Sequence, residues 1–115
     1  MEKNLLSLVG KYPSIFPEGF YFECQEGWYE LLDALCDHLQ VRTDHHGDPQ
    51  VIAQQVKEKY GTLRFYVGVA SDEQLALIDQ AEEKSARICD VCGAQGALRD
   101  GGWMMTRCDQ HHVPR

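Results

Sequence analysis

Residues able to hold a metal ion crowd the end of the chain. Cys89 and Cys92 are two residues apart and are followed by Gly93, and Cys108 opens a second pair that His111 or the adjoining His112 completes. Thiolate and imidazole are preferred donors for zinc, and a two-residue gap lets each pair wrap one edge of a tetrahedral ion. Gly93 permits the tight backbone turn that follows the first pair. His111 repeats the two-residue gap of the cysteine pair and is the preferred fourth ligand, with His112 as the alternate. Four protein ligands leave no position for a reacting water, so the expected Zn2+ is structural, one per chain. Its binding free energy, on the order of 10 kcal/mol in such modules, becomes folding free energy.

Other chemistries fit these residues less well. A zinc nucleobase deaminase needs a His-x-Glu element and a proline before the first cysteine pair; Ile88 precedes Cys89 and no His-x-Glu exists. A nuclease of the HNH type is closer, because His111-His112-Val113-Pro114 resembles its strand, but the helix that would carry the remaining metal-binding residues is missing. No glycine-rich phosphate loop follows a strand, and no serine or cysteine sits in a nucleophile motif. The chain therefore reads as a non-enzyme. His45 and His46, flanked by Asp44 and Asp48, are a second set of potential ligands, but adjacent residues in a flexible segment seldom point at one centre. Five cysteines is an odd number, and three of them lie beside histidines, which suits metal binding in a reducing compartment better than a disulfide framework. Cys24 and Cys36 are then expected as buried free thiols.

The elements that must position these groups follow from periodicity. Leu5, Leu6, Leu8 and Val9 predict a helix near 3–11, ended by Tyr12-Pro13. Phe20, Tyr21 and Phe22 predict a short strand or an aromatic plug over the core. Trp28, Leu31, Leu32, Leu35, Cys36 and Leu39 follow the spacing of an amphipathic helix over 27–40, with Glu30, Asp33 and Asp37 on its solvated face. Residues 41–50, polar and rich in turn formers, read as a surface loop. Residues 51–59 and 62–69 bracket Tyr60-Gly61 as a β-hairpin. Leu63, Phe65 and Val67 face the core in the second arm; in the first, Ile52 and Val56 are buried while Lys57 and Lys59 meet water, although a partly helical 49–55 also fits. Ser71 and Gln74 form a capping box before a helix over 72–87 whose stripe is Leu75, Ile78, Ala81, Ser85 and Ile88, with Glu83 and Arg87 paired one turn apart. Between the ligand pairs, residues 97–99, the turn Asp100-Gly101-Gly102 and residues 103–106 form a hairpin that returns the second pair to the first. Trp28, Trp103, Phe65 and Tyr66 are read as core aromatics, and Arg64 as a salt-bridge partner or binding contact.

Together these predict an α+β fold: a small antiparallel sheet of two or three strands around the hairpin 51–69, packed with helices, plus a C-terminal zinc knuckle of ribbon-like or treble-clef-like form. Residues 1–88 are the core and 89–115 the zinc module, continuous with the last helix and one compact unit with it. The net charge of −7 is uneven, since residues 1–83 hold 6 basic and 15 acidic side chains and residues 84–115 hold 5 and 3. That is not the electrostatic footprint of a protein that grips a duplex. No apolar run is long enough for a membrane span, so a cytoplasmic location is expected.

Lys11-Tyr12-Pro13, Phe22-Glu23-Cys24 with Gly27-Trp28, Leu31-Leu32, Leu35-Cys36, residues 56–66, Ala81-Glu82 with Ser85, and Cys89 to His111 with Gly102-Trp103 and Thr106 together resemble a family of small uncharacterised proteins encoded by phages and prophages. The resemblance covers nearly the whole chain and implies a protein of the bacterial host cell's cytoplasm. In that pattern one histidine follows the second ligand pair's cysteine by three positions, matching His111 and leaving His112 as an extra. The His45-His46 segment is not part of the pattern. The expected activity is binding of a host or phage protein, with inhibition or regulation of host machinery as its outcome, through acidic helix faces or the aromatics around Phe20 and Tyr21. The alternative is nucleic-acid binding (DNA or RNA) through the zinc tail, using Arg99, Trp103, Arg107 and Arg115.

Overall fold

The computed structural model describes residues 4–101 and 103–112. Three helices and two hairpins follow in the order α1 (Ser7–Lys11), α2 (Tyr29–His46), β1 (Ala53–Lys59), β2 (Thr62–Val67), α3 (Asp72–Ser85), β3 (Ala97–Gly101) and β4 (Trp103–Arg107), with α3 packed against both α2 and β2. The α+β class expected from the sequence is present, as two separate two-stranded antiparallel sheets. Among the described residues no helix is long and apolar enough to cross a membrane.

α2 carries the core. Trp28, which ends a 3-10 turn leading into it, is fully buried together with Leu32, Cys36 and Leu39. The helix runs six residues past the expected end. Residues 42–46 lack apolar side chains because they form the outer end of the helix, and the stop is Gly47, whose φ of 75° closes the helix in the left-handed conformation. The loop expected over 41–50 thus shrinks to a few residues after it, and His45 and His46 lie exposed in the helix's last turn. Asp33 also departs from the solvated face: Tyr12 donates to it at 2.6 Å and Lys11 pairs with it at 2.9 Å, fixing α1 on α2.

The first hairpin turns at Tyr60-Gly61, both with positive φ (55° and 85°), as a two-residue connection between twisted strands requires. β1 contains a bulge: Ala53 pairs with Val67 and Gln55 with Tyr66, which leaves Gln54 opposite no residue. The bulge shifts the side-chain parity, so Ala53 and Val56 are buried and Ile52 is half exposed, against the expectation that Ile52 and Val56 would share the inner face. In β2 Leu63 and Phe65 face inward as expected, but Tyr66 is on the outer face and exposed.

Both edges of this sheet are occupied. On the β2 side, the Leu63 and Phe65 N–H groups donate to Ser85 Oγ and Glu82 Oε2 of α3, each at 2.9 Å. On the β1 side, Glu23 donates to Val56 and accepts from Glu58 through a single parallel bridge. This bridge is all the strand that residues 19–24 form. Phe20 and Phe22 instead pack on Phe16 with ring centroids 5.1 and 5.2 Å away, an aromatic plug that leaves Tyr21 outside and exposed.

α3 starts at the expected capping box: Ser71 Oγ accepts from the Gln74 N–H and Gln74 accepts from the Ser71 N–H. The Glu83–Arg87 pair is also present, at 3.5 Å. The first buried position of the helix is Gln74, not Leu75. Gln74 fits there because its amide donates to Leu39 O, Thr43 Oγ1 and Pro49 O, which ties the start of α3 to α2 and to the segment that follows it. Gln74→Leu removes the amide's bonds to Leu39 O, Thr43 Oγ1 and Pro49 O and the reciprocal half of the capping box. We expect a loss of about 2 kcal/mol in urea denaturation with an unchanged m-value.

Candidate metal centre

The last helix leads into the first ligand pair without a linker. After Ser85 a short turn brings Ile88 beside Gln95 in an isolated antiparallel bridge, and the next residues form a knuckle in which the Cys89 N–H donates to Ala94 O and the Gly93 N–H to Cys89 O. Gly93 has a φ of 83°, the conformation anticipated for it. β3 and β4 then pair in register from Ala97–Arg107 to Gly101–Trp103, returning the chain to the knuckle. One further turn, with the N–H groups of His111 and His112 both donating to Cys108 O, swings the histidine side chains back.

Cys89, Cys92, Cys108 and His111 converge, and their four candidate donor atoms lie within 4.8 Å of one another. The separations are Cys92 Sγ to Cys108 Sγ 3.7 Å, Cys89 Sγ to His111 Nδ1 3.6 Å, and Cys108 Sγ to His111 Nδ1 3.2 Å. With metal–sulfur bonds of about 2.3 Å and metal–nitrogen bonds of about 2.05 Å, a regular tetrahedron has edges of about 3.8 Å between sulfurs and about 3.6 Å from sulfur to nitrogen. The quartet fits a metal ion of that kind. His111 supplies Nδ1; His112 is not among the converging residues. No other group of three or more His, Cys, Asp or Glu side chains converges in this way among the described residues, the set around His45 and His46 included.

The surroundings of Cys89 favour thiolate. Burial by itself would raise the Cys89 thiol, but the backbone N–H groups of Cys108, Cys92 and Val91 hydrogen-bond to its sulfur and outweigh that effect, drawing it down to about 6. At Cys92 the Ala94 N–H acts in the same direction, yet desolvation and the neighbouring sulfurs of Cys108 and Cys89 raise that thiol overall. The two remaining cysteines behave as inert thiols: Cys36 is fully buried and Cys24 half-buried, and burial pushes both up, Cys24 to about 12.

Around the quartet lies a support that sequence reasoning missed. Asp90, between the first two cysteines, is buried and accepts a hydrogen bond from Arg107 Nε; Arg107 also donates to His111 O at 3.5 Å, so one guanidinium braces both ligand pairs. Arg99 donates to Arg107 O and pairs with Asp109 at 2.9 Å. Of the residues expected to form a binding surface, Arg99 and Arg107 are therefore engaged within the module itself, and Phe20 belongs to the aromatic plug. Tyr21 and Trp103 are exposed, and Arg64 is partly so. Trp103 was expected in the core. In a two-stranded hairpin it shares a face with Met105 and Arg107, while Thr106 takes the buried position on the other face and donates to Gly61 O at the tip of the first hairpin. Val113, Pro114 and Arg115 lie outside the described residues.

Gly27 is the other missed residue. Its N–H donates to Asp90 O at 2.9 Å, and a Cβ there would stand 2.3 Å from Cys89 O and 2.4 Å from the Asp90 carbonyl carbon. Nothing local marks it, because the contact spans more than sixty residues. Asp90→Ala leaves the Arg107 guanidinium buried without its carboxylate and should cost about 3 kcal/mol in urea denaturation. Compared with known proteins, the chain matches no family model, no curated protein and no solved structure.

Proposed function

We propose that this chain is a non-catalytic binding protein whose tail is held by one structural zinc ion, and that its partner is another protein. The observation that carries the zinc is the quartet itself: three sulfurs and one imidazole nitrogen at tetrahedral spacing. This soft donor set suits zinc, and four protein donors complete its coordination, so that no position is left for substrate. The metal's role is to fix the fold of the last quarter of the molecule. A phage or prophage origin, with a host factor as the protein bound, is the setting that fits the resemblance of the sequence.

The protein-binding reading draws support from an open cleft of about 670 Å³ beside the β1 bulge. It is lined by Pro17, Gly19, Phe20, Tyr21, Gln54, Gln55, Tyr66 and Val67, among others, and its rim carries the exposed rings of Tyr21 and Tyr66. Tyrosines next to apolar floor and amide groups are the composition from which protein-contact anchors are made. The alternative of nucleic-acid binding through the zinc tail draws less, because Arg99 and Arg107 already serve Asp109 and Asp90.

Metal analysis of purified protein should give one zinc per chain. Cys92→Ser and His111→Ala should lose the metal, and His112→Ala should keep it; a metal-free protein with an unchanged fold would refute the reading. Because bound thiolates must shed their protons, zinc affinity measured against a competing chelator should fall as pH is lowered from 8 towards 6. Affinity capture with the zinc-loaded chain should recover a specific protein, and Tyr21→Ala with Tyr66→Ala should release it. Capture of nothing above background by the intact chain would count against the partner while leaving the zinc untouched.

A further inference from the structure

In a chain with 18 acidic and 11 basic side chains, carboxylates outnumber the cations that could pair with them. Lys11, Arg42, Arg87, Arg99 and Arg107 each pair with an aspartate or glutamate. Among the described residues Lys57, Lys59, Arg64 and Lys84 have no such pair, and three of these four share the outer face of the first hairpin. Lys57 lies directly across from Arg64, with Lys59 opposite Thr62 and Gln55 opposite Tyr66 on either side. Like charges facing each other across a strand pair weaken a sheet, so this arrangement is kept against the interest of the fold. The carboxylate at the rim, Glu23, accepts from Gln55 and not from a lysine.

Backbone strain adds an independent observation. Tyr60 is the one described non-glycine residue with positive φ, at the turn position where asparagine, aspartate or glycine would sit without strain. Its ring is exposed at the hairpin tip, 5.6 Å from Lys59 Nζ, and Tyr66 exposes a second ring at the far end of the same face. Three cations between two exposed rings on one strand pair provide charge for phosphates and platforms for bases. Lysine is depleted where proteins meet proteins, which makes a protein the poorer occupant of this face.

We propose that the outer face of β1 and β2 binds single-stranded nucleic acid, with phosphates on Lys57, Lys59 and Arg64 and bases stacked on Tyr66 and Tyr60. One guanidinium nitrogen of Arg64 donates to Thr62 Oγ1 and Leu63 O, which holds the side chain on this face. Tyr66 is shared with the cleft offered to the protein partner, whereas Lys57, Lys59 and Arg64 do not line that cleft, so their loss distinguishes this activity from that one.

The test is the anisotropy of labelled dT20 and rU20 titrated with the zinc-loaded chain between 50 and 200 mM salt, about the range over which phosphate contacts are lost. Binding should appear at low salt and weaken with a log–log slope of about −2, since each of three contacts contributes about 0.7. Lys57→Ala with Arg64→Ala should weaken binding at least tenfold and reduce the slope to below about 1 in magnitude. Tyr66→Ala should weaken it several-fold with the slope unchanged, and Lys84→Ala should have no effect. Ultraviolet crosslinking of the unaltered chain, which needs no variant to fold, should place the oligonucleotide on the peptide spanning residues 55–66. No binding of either oligonucleotide at 50 mM salt, crosslinks elsewhere, equal loss with Lys84→Ala, or equal affinity for polyglutamate would each overturn the proposal.

Discussion

The fold is organised around the close approach of two backbones, Gly27 against Cys89 and Asp90. Trp28 can fill the centre of the core and still donate its indole N–H to Ile88 O at 2.9 Å because the residue before it has no side chain to hold the knuckle away. That contact sets where the first ligand pair stands relative to α2. The Asp90 N–H then bonds Thr106 O, Thr106 bonds Gly61 O, and the tip of the first hairpin is tied to the metal hairpin. A chain of four short contacts thus joins the core, the first sheet and the quartet, and an ion at the quartet would stiffen elements far from it in sequence.

This arrangement explains why the core and the cysteine-rich tail do not divide at residue 88 as independent bodies. Ile88 and Cys89 belong to the tail by motif, yet Ile88 packs on the main core and Cys89 is fully buried. The tail supplies hydrogen bonds to residues 27, 28 and 61, and the core supplies the shelf on which the ligand pairs are set. In a chain this small, where one core buries limited apolar surface, a shared boundary of that kind adds burial that neither part would have alone.

What could be read in advance was what depends on neighbours in sequence. The 3.6-residue spacing of Trp28 to Leu39, the alternation Leu63-Phe65, the Ser71–Gln74 box and the Cys-x-x-Cys spacing all encode local geometry, and each appears in the structure. What escaped depends on distant partners. The bulge at Gln54 moved Ile52 outward, because one unpaired residue inverts strand parity without any mark in composition. Gln74 replaced Leu75 in the core because its amide finds partners there on Leu39, Thr43 and Pro49. Trp103 stayed outside because Thr106, not an apolar residue, was required against Gly61. At the quartet the ligands were legible and their supports, Gly27, Asp90 and Arg107, were not.

The contrast between the two tryptophans makes the molecule its own reporter. Trp28 sits in a dry core with its N–H bound one residue before the first ligand, whereas Trp103 stands largely in water on the metal hairpin. Their intrinsic emission therefore falls into a blue and a red component that belong to different structural layers. Loosening of the knuckle alters the blue one by freeing an indole hydrogen bond, and contact with a visitor on the hairpin alters the red one, so the two events separate by colour in unlabelled protein.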